Sequence, residues 1–318
     1  RRIRENVEHF VVVAGLTDPE LVQRVRNDGI DILVDLSGHT AGNRLAAFAR
    51  RAAPVQATWL GYVNTTGLAA MDFRITDARV DPPGATERWH TETLVRLPAS
   101  QWCYRPWPDS PVVAPPPCLA KGHVTFGSTA NPAKLNAAVL EAWAQLLARM
   151  DGARLLVHAP DDVDFRGRLH AALGRAGIAT DRVAFFPRLP VADYLRRYAD
   201  IDICLDTFPG AGATTTLDAL WMGVPVVSLA GEGPSSRAGA GILGTLGLAQ
   251  CLAATRDEYV DRAARLAADP QALAALRKSL RDRLEASPLR DEAAFARSME
   301  DALMRMCESR GLVLRAGD

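Results

Sequence analysis

The sequence is short of anything that would carry it into a membrane. No apolar run approaches the roughly 20 residues that a spanning helix needs. The charged start, with Arg1, Arg2 and Arg4, lacks the apolar core of a signal peptide. There is no excess of charge either, since Lys plus Arg and Asp plus Glu number 37 each. A surface for nucleic acid needs a net basic footprint, so nucleic acid is set aside as a partner, and the membrane with it. Five cysteines, at 103, 118, 204, 251 and 307, form no CxxC pair and no Cys/His cluster. Such an odd, scattered set suits a reducing cytoplasm rather than a disulfide framework. Familiar catalytic signatures are missing as well. There is no P-loop, no GxSxG and no HExxH, and Gly210-Ala211-Gly212 runs on into Ala213-Thr214-Thr215 without the third glycine of a dinucleotide fingerprint.

What is there is an ordinary globular composition, 48% apolar and 23% charged, over a length that favours two domains. His9 to Val13 reads as a strand, followed by a helix from Asp18 to Asn27 and a strand at Ile32–Val34. A polar turn, Asp35-Leu36-Ser37-Gly38-His39-Thr40, then sits where open α/β sheets bind ligands, although a capped turn explains it equally well. Strands at 54–60, 73–77 and 93–97 complete a first lobe, residues 1–97, whose beginning is expected to be missing. Residues 98–120 hold Trp102, Tyr104, Trp107 and six prolines between 106 and 117, and read as a linker with aromatic anchors. Strands and helices alternate strictly from 123 to 253, which predicts a parallel sheet with right-handed crossovers in a second lobe, 121–290. Residues 291–318 add a C-terminal helix that could pack back on the first lobe. The architecture expected is α/β, two Rossmann-like lobes whose parallel sheets face a cleft.

The stretch Gly210 to Leu229 carries most of the chemistry. A small-residue loop leaves the apolar strand Ile203–Leu205, and Thr214, Thr215 and Thr216 open a helix that stops near Gly223. The unpaired N–H groups of a helix start can hold a phosphate, with threonine hydroxyls as further donors. Asp218, one turn in, can accept from ribose hydroxyls. Plain helix capping accounts for the same residues. Lys134 follows the second lobe's first strand and can neutralise a diphosphate at the same edge. Asp162/Asp164 and Asp200/Asp202 have DxD spacing, but both pairs read as surface carboxylates and no metal is expected.

Several segments resemble the O-linked N-acetylglucosamine transferases and their SPINDLY-like relatives. They are Trp59-Leu60-Gly61-Tyr62 with Thr65-Thr66-Gly67, Met71-Asp72 and Ile75-Thr76-Asp77 in the first lobe. In the second they are Cys204-Leu205-Asp206-Thr207, Gly212-Ala213-Thr214-Thr215, Asp218-Ala219-Leu220-Trp221 and the tail Ser287-Pro288-Leu289. The resemblance runs from about residue 29 to 309. It implies a GT-B inverting glycosyltransferase that uses a nucleotide sugar without a metal or other cofactor, moving N-acetylglucosamine from UDP-GlcNAc to Ser or Thr of a protein or peptide acceptor. The resemblance assigns Lys134 to the donor diphosphate with Asn131 beside it, Thr214 and Thr215 to the phosphates, where Thr216 completes the helix start, and Asp218 to the ribose. Leu189, Tyr194 and Arg197 fall around the base, with Tyr194 in place of a stacking histidine. Ala213 replaces a histidine and loses a contact. Ser37, His39, Thr40, Thr65, Thr66 and Gly67 fall on loops lining sugar and acceptor. For the base, His39 is the candidate in a suitable loop, with an upstream residue or a water relay as the favoured alternative. A family histidine in an HPxG-like segment, and the repeats that present substrate, are expected upstream. A GDP-fucose donor, or a binding module without turnover, are the competing readings.

Overall fold

The computed structural model describes residues 2–159 and 163–312. Contacts divide the chain into two compact units, the first built from the described residues of Arg1–Thr76, Glu87–Arg96 and Met299–Asp318, the second from Asp77–Thr86 and Leu97–Ser298. Residues 98–120 fall in the second. Trp102 and Tyr104 are buried there, whereas Trp107 is exposed.

In the first unit β1 (Ile32–Asp35), β2 (Val55–Thr58), β3 (Phe73–Asp77) and β4 (Thr93–Leu97) form a sheet in that order. β1 pairs with β2, and β2 with β3, in parallel. The helix Asp18–Asn27 begins with a reciprocal Thr17/Glu20 capping box and buries Val22 and Val25 against Ala47, Ala52 and Ala53. An ionic knot ties the short loops down. Asp72 accepts both guanidinium nitrogens of Arg51 at 2.9 Å and the Gln56 N–H at 2.9 Å, and it also pairs with Arg310. The strand expected at His9–Val13 is absent. This stretch joins no sheet, and Phe10, Val11 and Val12 are exposed. Apolar β-branched residues suit a strand only when a neighbouring strand takes their hydrogen bonds.

The second unit holds β5 (Thr125–Ser128), β6 (Arg154–His158), β7 (Val183–Phe186), β8 (Ile203–Leu205), β9 (Val226–Leu229) and β10 (Leu252–Ala253). They are ordered β10-β9-β8-β5-β6-β7, and every neighbouring pair is parallel. The chain therefore moves outward from β5 through β6 to β7, then returns to β5's other side and moves outward again. The point of reversal lies between β5 and β8, and the carboxyl ends of strands flanking such a point open a crevice suited to ligands. Helices Ala137–Arg149 and Arg256–Ala268 pack on this sheet through Trp143, Leu146, Leu147, Tyr259 and Ala263.

One carboxylate overturns its sequence reading. Asp202 is fully buried, not on the surface: it accepts the Cys118 N–H at 3.0 Å and the Thr125 N–H at 2.7 Å. Arg277, also buried, donates to the carbonyls of Ile201 and Asp202 beside it. Those N–H groups begin the chain's entry into β5, and a buried acceptor is what satisfies them. Asp200 does face solvent and pairs with Lys121 and Arg197. Asp162 of the other DxD pair lies outside the described residues.

Candidate active site

Where β8 ends, the buried carboxylate of Asp206 organises the loop that follows. It accepts the N–H groups of Thr207 and Gly212, both at 2.8 Å, and the Ser228 hydroxyl at 2.7 Å. Burial pushes this carboxyl up to about 6, against the pull of those donors and of the Lys134 ammonium. The loop is thereby folded back, and Gly212 is packed so closely that a Cβ there would stand 2.4 Å from the Thr215 hydroxyl. A larger residue here would have to push the Thr215 side chain aside.

Helix Thr214–Trp221 starts at this loop. Its N-cap is Ala213, which has no side-chain oxygen to offer, so the first-turn N–H groups have no capping side chain. Thr214 is exposed and Thr215 half-buried, while Thr216 is buried and turns its hydroxyl back onto the Gly212 carbonyl at 3.0 Å. Thr214 alone of the three is exposed; the Thr215 hydroxyl lies against Gly212, and Thr216 belongs to the loop's own architecture. Lys134 arrives from β5, closing a short turn at Pro132–Lys134 before the Ala137–Arg149 helix begins. Its ammonium donates to the Ala211 carbonyl at 3.0 Å, which leaves two of its three donors for a ligand. The lysine and the open helix start, one on each side of the topological reversal, are thus brought together.

Asp218 lies in the same helix, 3% exposed, with both oxygens held. Tyr104 donates to one at 2.7 Å and Tyr194 to the other at 3.1 Å. Burial raises its carboxyl above the usual range, and the two tyrosine hydrogen bonds oppose this. Asn131 is exposed near Lys134, its side-chain oxygen capping the turn at the Ala133 N–H. Leu189 is half-buried just ahead of the helix Val191–Arg197 that carries Tyr194. Arg197 does not join the group. It ends that helix, ion-paired with Asp200 at 2.9 Å, in a hollow shared with Lys121, Thr125 and Arg154 at the amino ends of the strands.

The first unit has its own polar cluster. Asp35, at the end of β1, accepts the N–H groups of Ser37 and Gly38 at 3.0 and 2.8 Å and the Thr58 hydroxyl at 2.8 Å, which fixes the following turn. Thr40 caps that turn on the Ser37 carbonyl. His39 is exposed, with its Nε2 2.9 Å from the Thr66 carbonyl and its ring edge-on to Tyr62. A carbonyl only accepts, so Nε2 carries the proton and a neutral ring presents its Nδ1 lone pair. Thr65 and Thr66 spend their side chains on Glu92, which also accepts the Thr66 N–H at 2.7 Å. The Gly67 N–H caps onto the Thr65 hydroxyl at 3.0 Å. Burial works against the charge on Glu92, but the threonine hydrogen bonds outweigh it and hold the carboxyl below its usual range.

Two participants escaped the sequence reading, Glu92 and Tyr104. The HTET run gives no sign that Glu92 backs a loop 26 residues earlier. Tyr104 was legible only as an aromatic anchor.

Of the two parallel α/β sheets, one opens at its reversal point onto an uncapped helix start and a lysine, an arrangement whose chemistry suits an anionic ligand. The chain matches Glycosyl transferase family 41 over residues 1–103 and 118–299 and belongs to that family. Over 299 residues it is 44% identical to a Solanum lycopersicum protein named "Probable UDP-N-acetylglucosamine--peptide N-acetylglucosaminyltransferase SPINDLY", covering 92% of this chain and 32% of that one. An Arabidopsis thaliana protein of the same name is 43% identical over 297 residues, with the same coverage. The chain thus spans about a third of the length of these curated relatives. A mutant of the Thermobaculum terrenum O-GlcNAc transferase superposes with a TM-score of 0.91 at 41% identity, covering 97% of this chain and 59% of the other. The fold is accordingly α/β of the GT-B class. Among the described residues no helix is long and apolar enough to cross a membrane.

Proposed function

We propose that this chain carries the donor site and much of the catalytic apparatus of an inverting, metal-independent transferase that moves N-acetylglucosamine from UDP-GlcNAc to a Ser or Thr hydroxyl of a protein. The observation that carries this reading is the uncapped start of helix Thr214–Trp221 beside the Lys134 ammonium. Breaking the bond between the sugar C1 and the diphosphate oxygen leaves negative charge on the departing UDP. Helix N–H groups and an ammonium fixed in advance stabilise that charge as it grows. The acceptor oxygen forms the new bond from the opposite face of C1, which inverts the configuration, and its proton goes to a base. His39 Nδ1 supplies a lone pair of the right kind. Asp218 serves the ribose, Asn131, Thr214 and Thr215 the diphosphate, and Leu189 and the Tyr194 ring the base. Arg197 is left out, because its guanidinium is engaged at the amino ends of the strands. Ser37, Thr40 and Gly67 line the acceptor side. The names of the relatives support the UDP-linked sugar, and five unpaired cysteines fit a cytoplasmic setting.

Calorimetry with UDP and with GDP, followed by transfer from the matching nucleotide sugar to a Ser/Thr peptide, tests this. UDP is expected to bind and GlcNAc to be transferred. Tighter binding of GDP moves the donor to the GDP-fucose class, and nucleotide binding without transfer or donor hydrolysis reduces the chain to a binding module.

A further inference from the structure

Tyr104 enters the nucleotide-binding edge from a segment that sequence alone marks as a linker. Its hydroxyl ends on Asp218 at 2.7 Å, 114 residues away. The rest of the residue is held on every side. Its N–H donates to the Leu289 carbonyl at 2.7 Å, and its own carbonyl accepts from the Arg290 guanidinium at 2.9 Å. Leu289 is fully buried. The Tyr104 ring meets Trp221, three residues beyond Asp218 on the same helix, edge-on at 6.4 Å. Trp221 in turn lies under the guanidinium groups of Arg281 and Arg290, 4.9 and 5.7 Å from its centroid. Glu285, at 3.0 Å, and Glu292, at 3.4 Å, fix Arg290. A tyrosine clamped at both backbone groups, with its ring packed, has little freedom to aim its hydroxyl elsewhere.

The hydrogen bonds around Asp218 also have a forced direction. An ionised carboxylate only accepts, so Tyr104 and Tyr194 each give it their single proton. Tyr194 then accepts from Tyr198 at 2.6 Å, while the Tyr198 hydroxyl also lies 3.3 Å from the Thr215 carbonyl and 3.2 Å from the Thr129 hydroxyl. Burial and the nearby Asp218 charge keep both tyrosines attached to Asp218 protonated far beyond the ordinary phenol range, so they remain donors. The carboxylate is thus gripped at each oxygen and cannot rotate.

We propose that Tyr104 is a positioning residue for nucleotide binding: held by Leu289 and Arg290, it orients the Asp218 carboxylate toward the ribose hydroxyls of the donor. This rests on the assignment of Asp218 to the ribose. It also gives the segment 287–292 a role in donor binding, exerted through one tyrosine hydroxyl.

The test compares UDP with 2′,3′-dideoxy-UDP by calorimetry on the full chain and on Tyr104→Phe, with Asp218→Ala as reference. Losing a hydrogen bond that orients a charged group should weaken UDP by about tenfold. The dideoxy nucleotide, which gives Asp218 nothing to hold, should change by less than about twofold. Discrimination between the two nucleotides therefore shrinks, an effect that general loosening would not produce. Equal weakening of both nucleotides, or of neither, overturns the role of Tyr104. Should Tyr104→Phe fail to fold, Arg290→Gln loosens the clamp with the hydroxyl retained, and the same nucleotide pair reads the same change in smaller measure. If Asp218→Ala binds UDP as well as the unaltered chain does, the ribose assignment itself is wrong. If Asp218→Ala weakens UDP and Tyr104→Phe does not, only the positioning role falls.

Discussion

Each unit hangs a functional loop on a buried carboxylate, and the two carboxylates are pushed in opposite directions. Asp206 in the second unit is so completely enclosed that burial wins over three hydrogen bonds, and its carboxyl rises to about 6. Glu92 in the first unit is less deeply enclosed, and the hydroxyls and N–H of Thr65 and Thr66 win, so its carboxyl falls. The lesson lies in which donors each one uses up. Asp206 takes the Gly212 N–H and so curls the loop toward Lys134, leaving the first-turn N–H groups of the next helix open to a ligand. Glu92 takes the hydroxyls of Thr65 and Thr66, leaving His39 exposed beside them with its Nε2 on the Thr66 carbonyl. One carboxylate builds a seat for charge; the other builds a platform.

The largest expected effect breaks the comparison at Lys134. If the second unit's edge handles developing charge, Lys134→Ala lowers kcat by about 100- to 1,000-fold, the scale of one preorganised donor to a transition state. UDP affinity should fall much less. Steady-state kinetics beside calorimetry decides the matter, and equal losses in kcat and UDP binding would remove Lys134 from the transition-state role. Next is the pH response of Asp206. With its folded carboxyl near 6 and its usual value 3.8, the native state takes up a proton before the unfolded chain does as pH falls. The group therefore contributes stability below about pH 4 that is lost as pH rises through 6, about 3 kcal/mol over the two-unit gap. Asp206→Asn should lack this contribution. Denaturant titrations at pH 4 and pH 7 should show the native chain losing that amount relative to the variant, and parallel profiles would sink the argument.

The sheet of the second unit was legible because strict alternation of strands and helices admits few topologies, and the motif after β8 announced a helix start. The Asp202 reading failed for a physical reason. Two aspartates two positions apart beside a strand look alike in sequence, and only the N–H groups of Cys118 and Thr125 separate the buried one from the solvated one. Arg197 lies three residues beyond Tyr194 at the end of a short helix, and its guanidinium is taken up by Asp200 and the Phe186 ring, partners that the sequence around it does not announce. The His9–Val13 run satisfied every local strand preference and lacked only a neighbour. Tyr104 and Glu92 were illegible for a shared cause: each owes its role to a partner across the fold, and nothing in its own neighbourhood encodes that partner.

The smallest effect sharpens the contrast from the other side. Because the Glu92 carboxyl is held below its usual range, it contributes stability that is present at neutral pH and lost as pH falls through its folded value, the reverse of Asp206. Glu92→Gln keeps the shape but replaces one acceptor oxygen by an amide donor facing a threonine hydroxyl. The cost at pH 7 is expected to be about 1–3 kcal/mol, that of spoiled hydrogen bonds to a buried charged group. It should shrink in acid, where the native carboxyl is itself protonated. Since His39 hangs from the Thr66 carbonyl, whose N–H and hydroxyl both end on Glu92, the same change should raise KM for a peptide acceptor more than for the nucleotide sugar. Unfolding curves at pH 7 and through a series of falling pH, with the two KM values, test both parts. A penalty that grows in acid would mean that Glu92 is not held as a carboxylate. Equal effects on the two KM values would mean that its loop does not serve the acceptor side.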